Sequence, residues 1–278
     1  MNYRHAYHAG NFADAVKHTV LLMVLDYLLQ KDKPIFCLDT HAGIGLYDLS
    51  GTEAQKTGEW QGGIGKLWDI PNLPEPIQRY VSAMKALNEG DGFQIYAGSP
   101  ALIAQTIRPQ DRFVACDLHP VDAQTLSENI ADMGQGRVKI EQGDGYQTSK
   151  ALLPPPERRG LVLIDPPFED RGEFAQLTRA LRHALKRWAT GVYMIWYPIK
   201  DKATVTAWHN DLREINGLPE TLAVEFYLRP PTDPDLLNGT GLLIVNPPYQ
   251  LADNITDILP AFLHCLTGGK GTAEVVSL

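Results

Sequence analysis

Asp165-Pro166-Pro167-Phe168 directly follows the apolar run Leu161-Val162-Leu163-Ile164. An acid, two prolines and an aromatic in that order suit one chemistry. The exocyclic amine of a planar base is a poor nucleophile, because its lone pair is delocalised into the ring. A carboxylate and a proline carbonyl that both accept from that NH2 favour a more tetrahedral nitrogen, its lone pair aimed at an electrophile. The prolines fix φ and remove N–H donors, so a carbonyl points into the site. The aromatic ring can stack on a base taken out of its helix. Asp165, Pro166 and Phe168 are the candidate catalytic residues. A second copy, Asn246-Pro247-Pro248-Tyr249, also follows an apolar strand. It comes after the last expected strand, farther from any glycine loop, and sequence order favours the copy at 165.

Three further acids fall where strands should end. Asp39-Thr40-His41-Ala42-Gly43-Ile44-Gly45 follows a short apolar run. Gly43 and Gly45 permit a tight turn and close approach of a ligand, although an ordinary strand-to-helix turn has the same composition. Asp117 ends Arg112-Phe113-Val114-Ala115-Cys116. An acid there accepts from the ribose hydroxyls of a nucleotide cofactor, or caps the next helix. Asp144-Gly145 follows Arg137–Glu141. Its carboxylate can take a hydrogen bond from an adenine amino group, or simply make a Gly-Asp-Gly turn.

The elements that must position these residues alternate. Asn11 or Asp14 opens an apolar helix running to Leu28. Strands are expected at 35–38, 112–117, 137–141, 160–165, 192–197, 222–228 and 242–245. Helices are expected at 77–87, from Ser99 through Ile107 with Ser99 as side-chain cap and Pro100 at the first helical position, at 122–133, and at 174–188. Alternation with apolar strands predicts an α/β protein with a largely parallel sheet, whose ligand site lies beyond the carboxyl ends of the strands. Residues 49–93 change texture, being rich in Gly, Gln, Pro and Glu, and are expected to form an inserted helical subdomain. Residues 1–48 then carry the N-terminal segment and first strand, and 94–278 the remainder of the domain. The insertion explains why Asp117 comes so long after Gly45 when the usual gap is about 20 residues.

Composition narrows the class. The chain has 278 residues, 44% of them hydrophobic and 21% charged, which excludes general disorder. No apolar run reaches the length of a membrane span, and Met1–His8 contains no signal-peptide core. A net charge of −8 argues against coating nucleic acid by bulk charge and leaves room for a local basic face. Arg179, Arg182, Lys186 and Arg187 supply one on a single helix, where a solvated surface is the simpler expectation. The three cysteines, Cys37, Cys116 and Cys265, are isolated, and no His spacing makes a metal site, so neither disulfide nor metal is expected. Isolated cysteines suit a cytoplasmic protein.

Together these residues resemble the class I S-adenosylmethionine-dependent methyltransferases that act on amino groups, and more closely the bacterial RlmJ family. The closer likeness rests on Tyr3-Arg4-His5, His8-Ala9-Gly10-Asn11, Asp14, Lys17-His18, Leu38–Gly43, Gly98-Ser99-Pro100, Leu118-His119-Pro120, Leu163–Pro167, Trp196-Tyr197-Pro198 and Val245–Pro248. It covers almost the whole chain. It implies N6-methylation of an adenine in 23S ribosomal RNA, free or in an early assembly intermediate, by a monomer using S-adenosylmethionine. The implied fold is a Rossmann-like, seven-stranded, mostly parallel sheet with a small helical insertion. By the same resemblance His18, His41, Gly43, Ser99, Asp117, Asp144, Gly145 and Asp165 would bind the cofactor. Tyr3, His5 and Phe168 would face the RNA. Two positions depart from the family pattern: Asp117 stands where Glu is frequent, and Phe168 where Tyr is frequent. DNA-adenine and protein-glutamine methyltransferases share the [DN]-P-P-[YF] pattern and are the alternative. A catalytically silent RNA-binding module with the same fold is a further one.

Overall fold

The computed structural model describes residues 4–88, 92–170 and 172–278. Helix α1 (Phe12–Leu29) opens on Asn11, whose Oδ1 accepts from the backbone N–H groups of Ala13 and Asp14 and so satisfies two orphan donors of the first turn. Strand β1 (Phe36–Asp39) follows. The short strands β2 (Leu46–Asp48) and β3 (Ile95–Ala97) pair antiparallel. Between them lie α2 (Thr52–Thr57), α3 (Ile64–Leu67) and α4 (Glu75–Lys85). These helices share the main core rather than forming one of their own. Ile64, Leu67, Tyr80 and Met84 are buried in the same cluster as Val16, Val20, Val24 and Leu25 of α1.

Then α5 (Ser99–Thr106), β4 (Arg112–Asp117), α6 (Pro120–Ile130), β5 (Arg137–Gln142), α7 (Gly145–Leu152) and β6 (Gly160–Ile164) alternate. The chain continues through α8 (Glu173–Arg187), β7 (Val192–Ile199), α9 (Lys202–Arg213), β8 (Thr221–Tyr227), β9 (Gly239–Val245), α10 (Leu251–Thr267) and β10 (Thr272–Ser277). The main sheet runs β10-β8-β9-β7-β6-β1-β4-β5, with β5, β4, β1, β6 and β7 parallel. Strand β9 runs antiparallel to both β7 and β8.

This is the expected α/β sheet with one addition. Strand β10 makes eight strands where seven were expected. Its alternating, half-exposed pattern belongs to an edge strand, too weakly apolar to stand out in the sequence. Period-two alternation sorts the side chains between two helical layers. Cys37, Leu161 and Leu163 face the α1, α5, α6 and α10 layer, whereas Leu38, Val162 and Ile164 face α7, α8 and α9.

Candidate active site

A cavity of about 900 Å³ opens at the carboxyl edge of the parallel strands. Strand stagger decides which acids reach it. Asp39 lies level with Ala115 and Leu163, so Asp117 and Asp165 stand two residues beyond it. Asp39 is consequently fully buried beneath the floor, and burial pushes its carboxyl up to about 7. Ser99 Oγ donates to it at 2.6 Å, and His41 N–H at 3.3 Å. This corrects the expected role of Ser99 as a helix cap. Helix α5 is capped by Gly98 with no side-chain bond, because the Ser99 hydroxyl goes to the buried carboxylate. Ser99 still lines the cavity.

The backbone comes bare to the cavity at two glycines. Gly43 has φ +61°, and Tyr47 Oη stands close over the place a Cβ would take. A Cβ on Gly145 would lie 2.0 Å from the Thr40 carbonyl oxygen, so β1 and the start of α7 meet there only without a side chain. Asp117 Oδ2 accepts from Gly43 N–H and Oδ1 from His119 N–H, both at 2.9 Å. Burial raises its carboxyl despite those bonds. Asp144 Oδ1 caps α7 through Tyr146 and Gln147, and its side chain also lines the cavity. The turn reading of Asp144 is met by this cap, on a residue that also faces the cavity.

The strongest electrostatic feature lies across from β6. Lys17 Nζ sits 2.8 Å from Asp14 Oδ1 and 2.6 Å from Asp165 Oδ2. Asp14 Oδ2 also accepts from Gly10 N–H at 2.9 Å and faces His5 Nε2 at 3.0 Å. Burial works against both charges. It is outweighed at Lys17 by Asp14 and Asp165, which raise its pKa, and at Asp14 chiefly by Lys17, which lowers it well below the ordinary range. The arrangement ties the amino end of α1 to the carboxyl end of β6.

The histidines divide. His41 lines the cavity with its ring edge toward Tyr146, and burial lowers its pKa to about 4. His18 is buried, and burial with Lys17 nearby depresses its pKa well below the usual value. His18 Nδ1 bonds Tyr96 Oη at 2.7 Å, while its Nε2 has no hydrogen-bond partner among the described residues. His5 lines the mouth, against Tyr47 at 5.2 Å between ring centroids. Tyr3 lies outside the described residues. Pro166 lines the cavity. Phe168 does not: it has φ +51°, and its ring meets Phe174 at 5.0 Å and Trp196 at 5.8 Å. The turn after the two prolines carries the ring toward the α8 layer.

The second motif copy stands at the opposite edge of the sheet. Because β9 is antiparallel to β7, Val245 pairs with Tyr193 near the amino end of β7. Asn246 Nδ2 donates to the Ala189 and Gly191 carbonyls, each at 2.8 Å. It pins a loop about a sheet's height from the cavity.

A family model described as "Ribosomal RNA large subunit methyltransferase D, RlmJ" matches residues 32–277. The chain is 43% identical to "Ribosomal RNA large subunit methyltransferase J" of Haemophilus influenzae, covering 100% of this chain and 99% of that protein. It is 36% identical to the protein of the same description from Escherichia coli, covering 99% and 98%. A crystal structure of a protein from Legionella pneumophila, 36% identical, superposes with a TM-score of 0.88 over 97% of this chain and 98% of that one. The chain belongs to the RlmJ family. It is an RNA methyltransferase dependent on S-adenosylmethionine.

The cavity of this RlmJ-family enzyme fits that cofactor. Carboxylates at Asp117 and Asp144 suit ribose hydroxyls and an adenine amine, bare backbone at Gly43 and Gly145 permits close approach, and His18 Nε2, 3.9 Å from Asp14 Oδ1 and without a hydrogen bond among the described residues, is a polar atom buried in the lining. In the sequence Lys17 and Asp14 carry the family likeness, but neither is assigned a part in catalysis or cofactor binding. Their signal was present: two opposite charges three residues apart on a helix otherwise apolar enough to be buried nearly all round. Tyr146 was also passed over. Its Oη donates to Glu173 at 2.6 Å across the cavity's α7–α8 corner, a contact between residues 27 apart that no local pattern announces.

Proposed function

We propose that the enzyme methylates N6 of a specific adenine in 23S ribosomal RNA at Asp165, acting as a monomer on RNA that is free or in an early assembly intermediate. The observation that carries this reading is the Lys17–Asp165 contact at the cavity floor. Lys17 holds Asp165 Oδ2 and fixes the plane of the carboxylate, which leaves Oδ1 to accept from an amine. The Pro166 carbonyl is the second acceptor, on a residue whose ring fixes φ. Two acceptors on one NH2 orient the nitrogen lone pair and stabilise the positive charge that grows on N6 as it acquires a methyl group. S-adenosylmethionine supplies an electrophilic methyl on a sulfonium. His18, His41, Gly43, Ser99, Asp117, Asp144 and Gly145 would hold it. His5 and Tyr3 would meet the RNA at the mouth, whereas Phe168, which packs on Phe174 and Trp196 outside the cavity lining, would have to turn its ring to stack on the extruded base.

The test is methyl transfer from labelled S-adenosylmethionine to protein-free 23S ribosomal RNA, with nucleoside analysis of the digest. N6-methyladenosine is expected from the wild-type protein. Asp165→Ala should lose turnover by at least a thousandfold while its fold persists; activity within tenfold of wild type would overturn the assignment. Label in DNA or protein, and none in RNA, would transfer the same site to another substrate.

A further inference from the structure

The cavity rim poses an electrostatic problem for an RNA substrate. Among its described lining residues are seven carboxylates, including Asp122, Glu169, Asp170 and Glu173, and only two Lys or Arg side chains, Lys17 and Arg179. Lys17 is 4% exposed and engaged by two carboxylates. Arg179 is exposed and belongs to α8, whose first turns form one wall of the cavity.

Helix α8 buries Leu177, Leu181, Ala184 and Leu185. Its other face carries Arg179, Arg182 and Lys186, all exposed, at spacings of three and four residues. These spacings place them in one stripe, rising about 1.5 Å per residue away from the mouth. No acid follows Glu173 in this helix, in a chain whose net charge is −8. Among the described residues none of the three forms a salt bridge; Arg179 bonds Gln176 Oε1 at 2.7 Å. Arg187 is used otherwise, donating from Nε to the Leu153 carbonyl at 2.6 Å. A helix dipole accounts for cations in the last turn, hence for Lys186 and Arg187, but not for Arg179 and Arg182 in mid-helix.

We propose that Arg179, Arg182 and Lys186 form a track for the phosphodiester backbone of the RNA flanking the target adenosine, leading it past the acidic rim into the cavity. The track rests on the RNA substrate of the proposed function. Phosphate contacts of this kind position the substrate and carry no base information. They lower KM and make binding depend on salt, and they leave the chemical step alone.

The experiment uses the full chain and protein-free 23S ribosomal RNA, measuring RNA binding by filter retention and methylation rates across a salt series. The variant is Arg182→Ala with Lys186→Ala. The control is Lys31→Ala with Lys33→Ala, an equal charge change before the amino end of β1. The α8 variant should raise Kd and KM about tenfold, keep kcat within about twofold, and lessen the slope of log Kd against log salt by about 1.5. S-adenosylmethionine affinity should be unchanged in both proteins, which shows the fold intact. The control should behave as wild type. An α8 variant with wild-type Kd and salt slope, or one no different from the control, would overturn the track. Failure of the wild type to methylate RNA would instead overturn the functional reading, and the filter data would still decide the track.

Discussion

Replacing Lys17 with Met removes the cation between Asp14 and Asp165. Losing one partner of a buried ion pair costs about 3–5 kcal/mol, because the remaining charge is left uncompensated. Two features favour the lower end. Asp14 keeps the Gly10 N–H and His5, and Asp165 retains 16% exposure. A loss of about 3 kcal/mol at pH 7 is expected, equivalent to a fall in Tm of about 10 °C. The pH dependence carries a sign. Burial raises the carboxyl of Asp14, and Lys17 with the neighbouring histidines brings it well below its ordinary value. A depressed acid contributes stability above its unfolded pKa, about 4, and that stability disappears as pH falls through the lower folded value. In the variant burial is opposed only by the Gly10 N–H and His5, and most of the stabilising contribution is gone. The gap between the two proteins should therefore be full at pH 7 and narrow below about pH 4. Urea denaturation followed by circular dichroism at pH 7 and about pH 3.5 measures both. A gap under about 1 kcal/mol at pH 7, the size of an exposed pair, or one that does not change with pH, would refute the electrostatic account. Adding Asp14→Leu to Lys17→Met should restore part of the loss, since it removes the more deeply buried of the two carboxylates left without Lys17.

Asn246→Ala should cost about 1–3 kcal/mol through two lost hydrogen bonds to loop carbonyls, with kcat per folded molecule unchanged; a thousandfold loss of turnover would make the second motif a catalytic one. Gly145→Ala should separate β1 from α7, because its Cβ would meet the Thr40 carbonyl oxygen at 2.0 Å. S-adenosylmethionine affinity measured by calorimetry should fall at least tenfold, and an unchanged affinity would remove Gly145 from the cofactor site.

The α/β class, the placement of acids at strand ends and the nearness of the motif copy at Asp165 to the glycine loop were all legible in the order of residues. Each of these is local: unbroken apolar strands, turn-forming glycines and prolines, and a four-residue motif whose composition follows from its chemistry. Helix α1 was legible for the same reason, except that its start was open between Asn11 and Asp14, and the structure puts the cap at Asn11. Packing settled the rest. Four strand-end acids looked equivalent in sequence, yet parallel register leaves Asp39 two residues short of the cavity and brings Asp117 and Asp165 to it. Two proline motifs looked alike, yet strand direction puts them at opposite edges of the sheet. Ser99 read as a cap and became a donor to a buried carboxylate 60 positions away. Lys17 and Asp165 are 148 residues apart and meet at 2.6 Å. Such pairings depend on register, strand polarity and distance in space, which no window of sequence contains, because they exist only once the layers have packed.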